Sequence, residues 1–226
     1  MLRNINHMIL HFPSTPYSPY PHIMLHAHLG HFCTLIFLFF PISSIHGFTS
    51  ILDVICSSTS YPWAFPTRSK RSQTSMVFWL IRVISKQGKT AYRIRVEEDG
   101  TLTLSSEFLK IVFKLGVNIE NNGGFKSTSN FKVESLKRDN HKSARITLKM
   151  SGLPVTLWCF ARQYAAYFRR LLCHSSVDHA LYFMRHGKKA NFSAIKFWGT
   201  PGIALDNNSK LTPHSAKHLW IGCVNC

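Results

Sequence analysis

Charged side chains are almost missing from the stretch before Arg68, where Arg3 is the only lysine or arginine and Asp53 the only acid. Lys, Arg, Asp and Glu are the residues least often buried and are what wets a soluble surface, so this segment lacks an ordinary one. It does not read as a disordered tail either, being apolar and aromatic where such tails are polar and charged. Acids are scarce throughout, 10 Asp plus Glu against 27 Lys plus Arg for a net charge of +17. That leaves no pair of carboxylates spaced for acid and base work. Glu97, Glu98 and Asp99 fall together at a turn, where charge serves solvation. G-x-S-x-G, H-E-x-x-H, Walker and dinucleotide-binding patterns are absent. The cysteines, Cys33, Cys56, Cys159, Cys173, Cys223 and Cys226, are scattered and spell no disulfide framework. There is no internal repeat.

What this charge-poor opening does contain is proline, histidine and one dense apolar run, Phe32 to Ile42. As a helix its eleven residues rise about 17 Å against a hydrocarbon core of about 30 Å. Extension to Cys56 supplies the length but takes in Pro41, Gly47 and Asp53, and an acid near the middle of a span costs about 3 kcal/mol. A secretory signal wants a basic segment close to the start, and a mitochondrial presequence is Arg-rich; neither pattern is met. The segment is expected to be an apolar Pro/His-rich extension over 1–67. Its alternatives are a membrane segment at 32–56 or a non-native extension left by a mistaken start in the gene.

The pattern changes at the basic linker 68–75, and residues 76–200 read as a basic α+β domain followed by a polar tail, 201–226. "MVFWLIRVI" predicts a strand, and "TAYRIRVEE" a second one across the turn "KQGK", with Ile94 and Val96 on one face and Arg93 and Arg95 on the other. "TLTL" predicts a third strand, and "SSEFLKIVFKLG" a helix capped by Ser105 or Ser106 and stopped by Gly116. "NFKVESL" and "SARITLKM", around "KRDNHK", predict two more strands, the second alternating Ala144, Ile146, Leu148 and Met150 with Arg145, Thr147 and Lys149. "TLWCFARQYAAYFRRLL" has helical spacing, "SVDHALYFMRH" a shorter helix capped at Ser176, and "NFSAIKFWG" an edge strand. The expected fold is α+β, an antiparallel sheet of four or five strands with two or three helices on its apolar face.

Two resemblances bear on function. "ALYFMRHGKKANF" resembles the Arg-His-Gly signature of the histidine phosphatases, which implies a phosphoryl nucleophile at His186 and a phosphate grip at Arg185. That family places the motif near the start of its domain with a second histidine far downstream, whereas here the motif falls late in the sequence and Gly187 is followed by Lys188 and Lys189. A helix end with Gly187 at C′ accounts for the same residues. "RIRVEEDGTLTLSSEFLKIVFKLGV", Arg93 to Val117, carries a faint likeness to the hairpin-then-helix of the swapped-hairpin bacterial transition regulators. The flanking pattern departs from it and the family is not assigned. His214, His218, Cys223 and Cys226 offer four zinc-type ligands at a spacing tighter than finger sites use.

The basic surface remains. Arg93, Arg95, Lys132, Arg145 and Lys149 are expected on the wet face of the sheet, with Arg162, Arg169 and Arg170 extending the charge on a helix. A merely solvated face mixes signs, and spaced cations beside aromatics are how single-strand binders hold a phosphate backbone. The expectation is a non-enzymatic nucleic-acid-binding module without cofactor, intracellular, with the nucleus as one option and a membrane as the alternative. Its alternatives are a membrane-associated protein near anionic lipid and an unselected reading frame without a defined role.

Overall fold

The computed structural model describes residues 32–69, 75–82, 93–96, 106–121, 131–173, 179–205 and 215–221. At its centre is a strand without a charged residue. β1 (Phe32–Phe39) reads FCTLIFLF, a continuous apolar run of the kind that suits a strand buried on both faces. It pairs antiparallel with β2 (Ser50–Cys56), and β2 antiparallel with β3 (Pro62–Thr67). On its other side β1 pairs parallel with β4 (Arg93–Val96), and β4 parallel with β5 (Asn118–Asn121). The sheet order is β3-β2-β1-β4-β5.

Helices cover both faces. On one, helix α1 (75–82) contributes Val77, Leu80 and Ile81, helix α2 (Ser106–Lys114) Val112, and helix α5 (Leu181–His186) Leu181, all against Leu35, Leu52, Val54, Trp63, Phe65, Ile94 and Val96. Helices α3 (Phe131–Ser151) and α4 (Trp158–Leu171) take the opposite face. There Val133 and Leu136 meet Ile36 and Ile55, while Trp158, Cys159 and Ala166 meet Ile51 and Ala64. Strand alternation divides the apolar side chains between the two cores. A two-stranded sheet of β6 (Pro201–Leu205) and β7 (Ser215–Leu219) follows, and Trp220 beside it packs edge-on against Tyr164 of α4, with centroids 5.4 Å apart.

The chain is α+β overall, as expected, but the main sheet is mixed, and among the described residues only β4 and β5 keep exposed or part-exposed charges on its α3/α4 side, Arg93, Arg95 and Glu120. The segment 32–67, expected as part of an extension, supplies three of its five strands. Within 32–56 lie strands, and no described helix is long and apolar enough to cross a membrane. The run at 76–84 begins as helix α1, not as a strand, because a short apolar run lacks the periodicity that separates the two. Its i, i+3, i+4 residues Val77, Leu80 and Ile81 are the buried ones. β4 therefore has no hairpin partner before it and lies between β1 and β5; "KQGK" and "TLTL" lie outside the described residues.

The largest correction is α3, a single 21-residue helix where two strands and a turn were expected. No Gly or Pro interrupts 131–151, so nothing forces a turn. The buried set Val133, Leu136, Asn140 and Ala144 repeats every three to four residues, and the alternation at 144–150 breaks, since Ile146 and Met150 are 47% and 84% exposed. α2 and α4 lie where helices were expected, and Gly116 follows α2 at φ +66. "NFSAIKFWG" forms a 3-10 turn at Phe192–Ala194, not an edge strand.

Because β4 and β5 have their sheet neighbour in β1, a fragment spanning 72–204 is expected to melt without cooperativity by circular dichroism while the full chain unfolds in one transition. In the full chain Leu35→Ala, at a position with 0% exposure, is expected to cost about 2–5 kcal/mol in urea unfolding.

Candidate nucleic-acid interface

The same helical period that buries Val133, Leu136, Asn140 and Ala144 turns the opposite side of α3 to solvent. Arg138, Lys142, Arg145 and Lys149, spaced by four, three and four residues, share that side, and all four are exposed. They cover about 16 Å of helix at 1.5 Å per residue. Among the described residues none of the four is seen in an ion pair. Of the helix's two acids, Asp139 is taken up by Arg169 at 2.6 Å, and Glu134 stands at the N-terminal end. Lys132, before the stripe, reaches the Ser57 carbonyl at 3.4 Å.

The eight cations expected to contact nucleic acid are not brought together. Arg93 and Arg95 share Glu120 at 2.8 and 3.0 Å on the α3/α4 side of the sheet. Arg169 holds Asp139. Arg170 is buried, donates from Nε to the Pro62 carbonyl at 3.0 Å and lies over the Tyr61 ring. Arg162 is 1% exposed and donates to Asp53. Lys132, Arg145 and Lys149 face solvent, on a helix and not on a sheet. Sequence reasoning misses Arg138 and Lys142 because their recurrence with Arg145 and Lys149 is visible only at a period of 3.6, and a period of two hides it.

Asp53 sits in the middle of β2, opposite Ile36, with 0% exposure. Its Oδ2 accepts from Nη2 of Arg162, while Nη1 of Arg162 donates to the Lys137 carbonyl of α3 at 3.3 Å. One guanidinium thus ties β2, α3 and α4 together. Burial pushes the Asp53 carboxyl up to about 6, against the opposing pull of Arg162. Burial likewise lowers Arg162 from its ordinary value. Among the described residues, Oδ1 of Asp53 and Nε of Arg162 have no hydrogen-bond partner.

The Arg185-His186-Gly187 stretch is a helix end. Gly187 adopts φ +65 and its N–H donates to the Phe183 carbonyl at 2.8 Å. Arg185 is 1% exposed and lies over the rings of Tyr61 and Trp63, and His186 packs on Tyr182 and Tyr61. Of the zinc candidates, His218 contributes its backbone to β7; its side chain and His214, Cys223 and Cys226 lie outside the described residues.

No protein-family model matches the chain, and no curated protein does either. Solved structures share its fold. The HTLV-2 integrase catalytic core domain, in a trimeric form with magnesium, superposes with a TM-score of 0.51 at 12% identity, over 70% of this chain and 97% of that one. The catalytic core domain of BIV integrase gives 0.51 at 13% identity, over 69% and 93%. The expectation of a non-enzymatic module is thereby overturned, since the fold is that of catalytic core domains. The magnesium of the first structure raises the matter of ligands here. Among the described residues no group of three or more His, Cys, Asp or Glu could hold a metal ion. β1 carries no acid, Asp53 is held by Arg162, and Glu120 is held by Arg93 and Arg95. The described carboxylates do not fit a magnesium site.

The buried pair makes a pH-linked prediction. The folded state holds the Asp53 proton more tightly than the unfolded chain, whose carboxyl titrates near 3.8. The stability that this group contributes is therefore complete below that pH and is lost as pH rises to about 6. Urea unfolding of wild type and Asp53→Asn across this range is expected to show the decline in the wild type and its loss in the variant. At neutral pH, Arg162→Met alone is expected to cost about 3–5 kcal/mol by stranding a buried carboxylate, and adding Asp53→Leu to recover most of it.

Proposed function

We propose that this chain is a nucleic-acid-binding domain on an integrase-core-like fold, and that it holds the phosphate backbone along the outer face of α3. The observation that carries this reading is the stripe Arg138, Lys142, Arg145 and Lys149, four exposed cations on one helical side. Successive members lie about 4–6 Å apart along the axis, close enough for each to reach a different phosphate of one strand. A stripe of one sign attracts a polyanion and releases its condensed counterions. The net charge of +17 adds a long-range field of the same sign. That two solved structures with this fold are integrase catalytic cores fits nucleic acid as the kind of partner.

Changing Arg138, Lys142, Arg145 and Lys149 together to Gln is expected to weaken binding and to flatten its salt dependence. The log–log slope should fall by about 0.9 per lost contact on duplex DNA and about 0.7 on a single strand, read by fluorescence anisotropy across a salt titration. Thermal unfolding should move little, because the four residues are exposed. An unchanged slope would remove α3 from the interface.

A further inference from the structure

Where β1 leaves the sheet, a cleft of about 230 Å³ opens between α3 and α4. Its aromatic wall is a ladder of three nearly parallel rings. Phe40 stacks on Trp158 with centroids 4.0 Å apart and planes 15° apart, and His141 lies beside Phe40 at 5.9 Å and 16°. Trp158 is fixed by its indole N–H, which donates to the Ile42 carbonyl at 2.8 Å. Leu148 lines the cleft from α3. Arg162 lines it too, and its buried Nε has no partner among the described groups. Arg145 is shared by the cleft and the cation stripe on α3.

We propose that this cleft takes one unstacked nucleobase from a single-stranded stretch of the nucleic acid held along α3, a reading that rests on the α3 phosphate track. The occupant follows from the lining. Near-parallel rings offer a π-face on which any base stacks, and base-on-aromatic stacking is tolerant of sequence. Arg145 belongs to both surfaces, so the phosphate next to the inserted base meets a cation as the strand continues onto Lys142 and Lys149. Burial, together with the cations Arg162, Arg145 and Lys137, holds the His141 imidazole below its ordinary value, so at neutral pH this ring stacks as a neutral group and adds nothing to the salt dependence. A duplex keeps its bases paired and cannot fill the cleft without losing a base pair, so the cleft favours single strands.

The test uses the full chain with a single-stranded oligonucleotide carrying one 2-aminopurine and with the matching duplex, in fluorescence and anisotropy titrations. Wild type is expected to quench the 2-aminopurine in the single strand. His141→Ala removes an exposed ring, and Val155→Trp fills the cleft from a wall residue that is 52% exposed. Each is expected to weaken single-strand binding about five-fold or more, with duplex affinity and salt slope unchanged. Salt-dependent binding without quenching, or with both variants equal to wild type, would overturn the base cleft and leave the α3 track standing. Quenching that survives the four-residue Gln variant with an unchanged slope would support the cleft and overturn the track. A wild-type chain that binds neither oligonucleotide would overturn both.

Discussion

The architecture hangs on one buried ion pair. Asp53 is the only acid before Arg68, it lies at the middle of β2, and Arg162 reaches it from α4 while also donating to the Lys137 carbonyl of α3. Burying two charges this completely costs several kcal/mol per ion, and their attraction offsets this only where the geometry holds. The pair is therefore weak as a source of stability but strong as a specification. With Arg162 anywhere else, a carboxylate would stand uncompensated against Ile36 and Ile55, so α4 and α3 can dock on this sheet only in a register that brings the guanidinium to β2.

The rest of the charge distribution follows from closing both faces of the sheet. A three-layer arrangement leaves little strand face for solvent, so cations on inward helix positions must find acceptors, and those on β4 lie beside one. Arg93 and Arg95 find Glu120, Arg169 finds Asp139, and Arg170 finds a carbonyl and a ring. Acids are few, and these pairings use several of them. Beyond Glu134 in its first turn, the outer side of α3 is left with the cations Arg138, Lys142, Arg145 and Lys149. The imbalance at that surface is thus a consequence of how the interior was neutralised as much as of composition.

Much of this was legible residue by residue and illegible in arrangement. The helices at 106–114 and 158–171 could be read because of their helical apolar period, supported at the first by a serine before it and a glycine after it. β1 was legible as an apolar run, but a strand covered on both faces has no alternation, and without charges near it the run looked foreign to a soluble domain. The reading of 131–151 as strands failed for a more local reason. Four apolar residues at period two, Ala144 to Met150, outweighed a long stretch with nothing to end a helix, and two of the four prove to be exposed. The buried cations were beyond reach, because a sequence does not say which arginine has a carboxylate waiting inside.

Composition and pattern by themselves determined that the chain is strongly basic, that it holds a mixture of helices and strands, and that its charge lies almost wholly from Arg68 onward. These are sums and local periods, and they need no knowledge of neighbours. The tertiary structure alone decided that β1 of the charge-poor stretch is the centre of the sheet, that β4 runs parallel to it, and which cations stay in water. Each of those is a pairing between residues far apart in the chain, and such pairings are set by which surfaces exclude water together, a property no single stretch possesses.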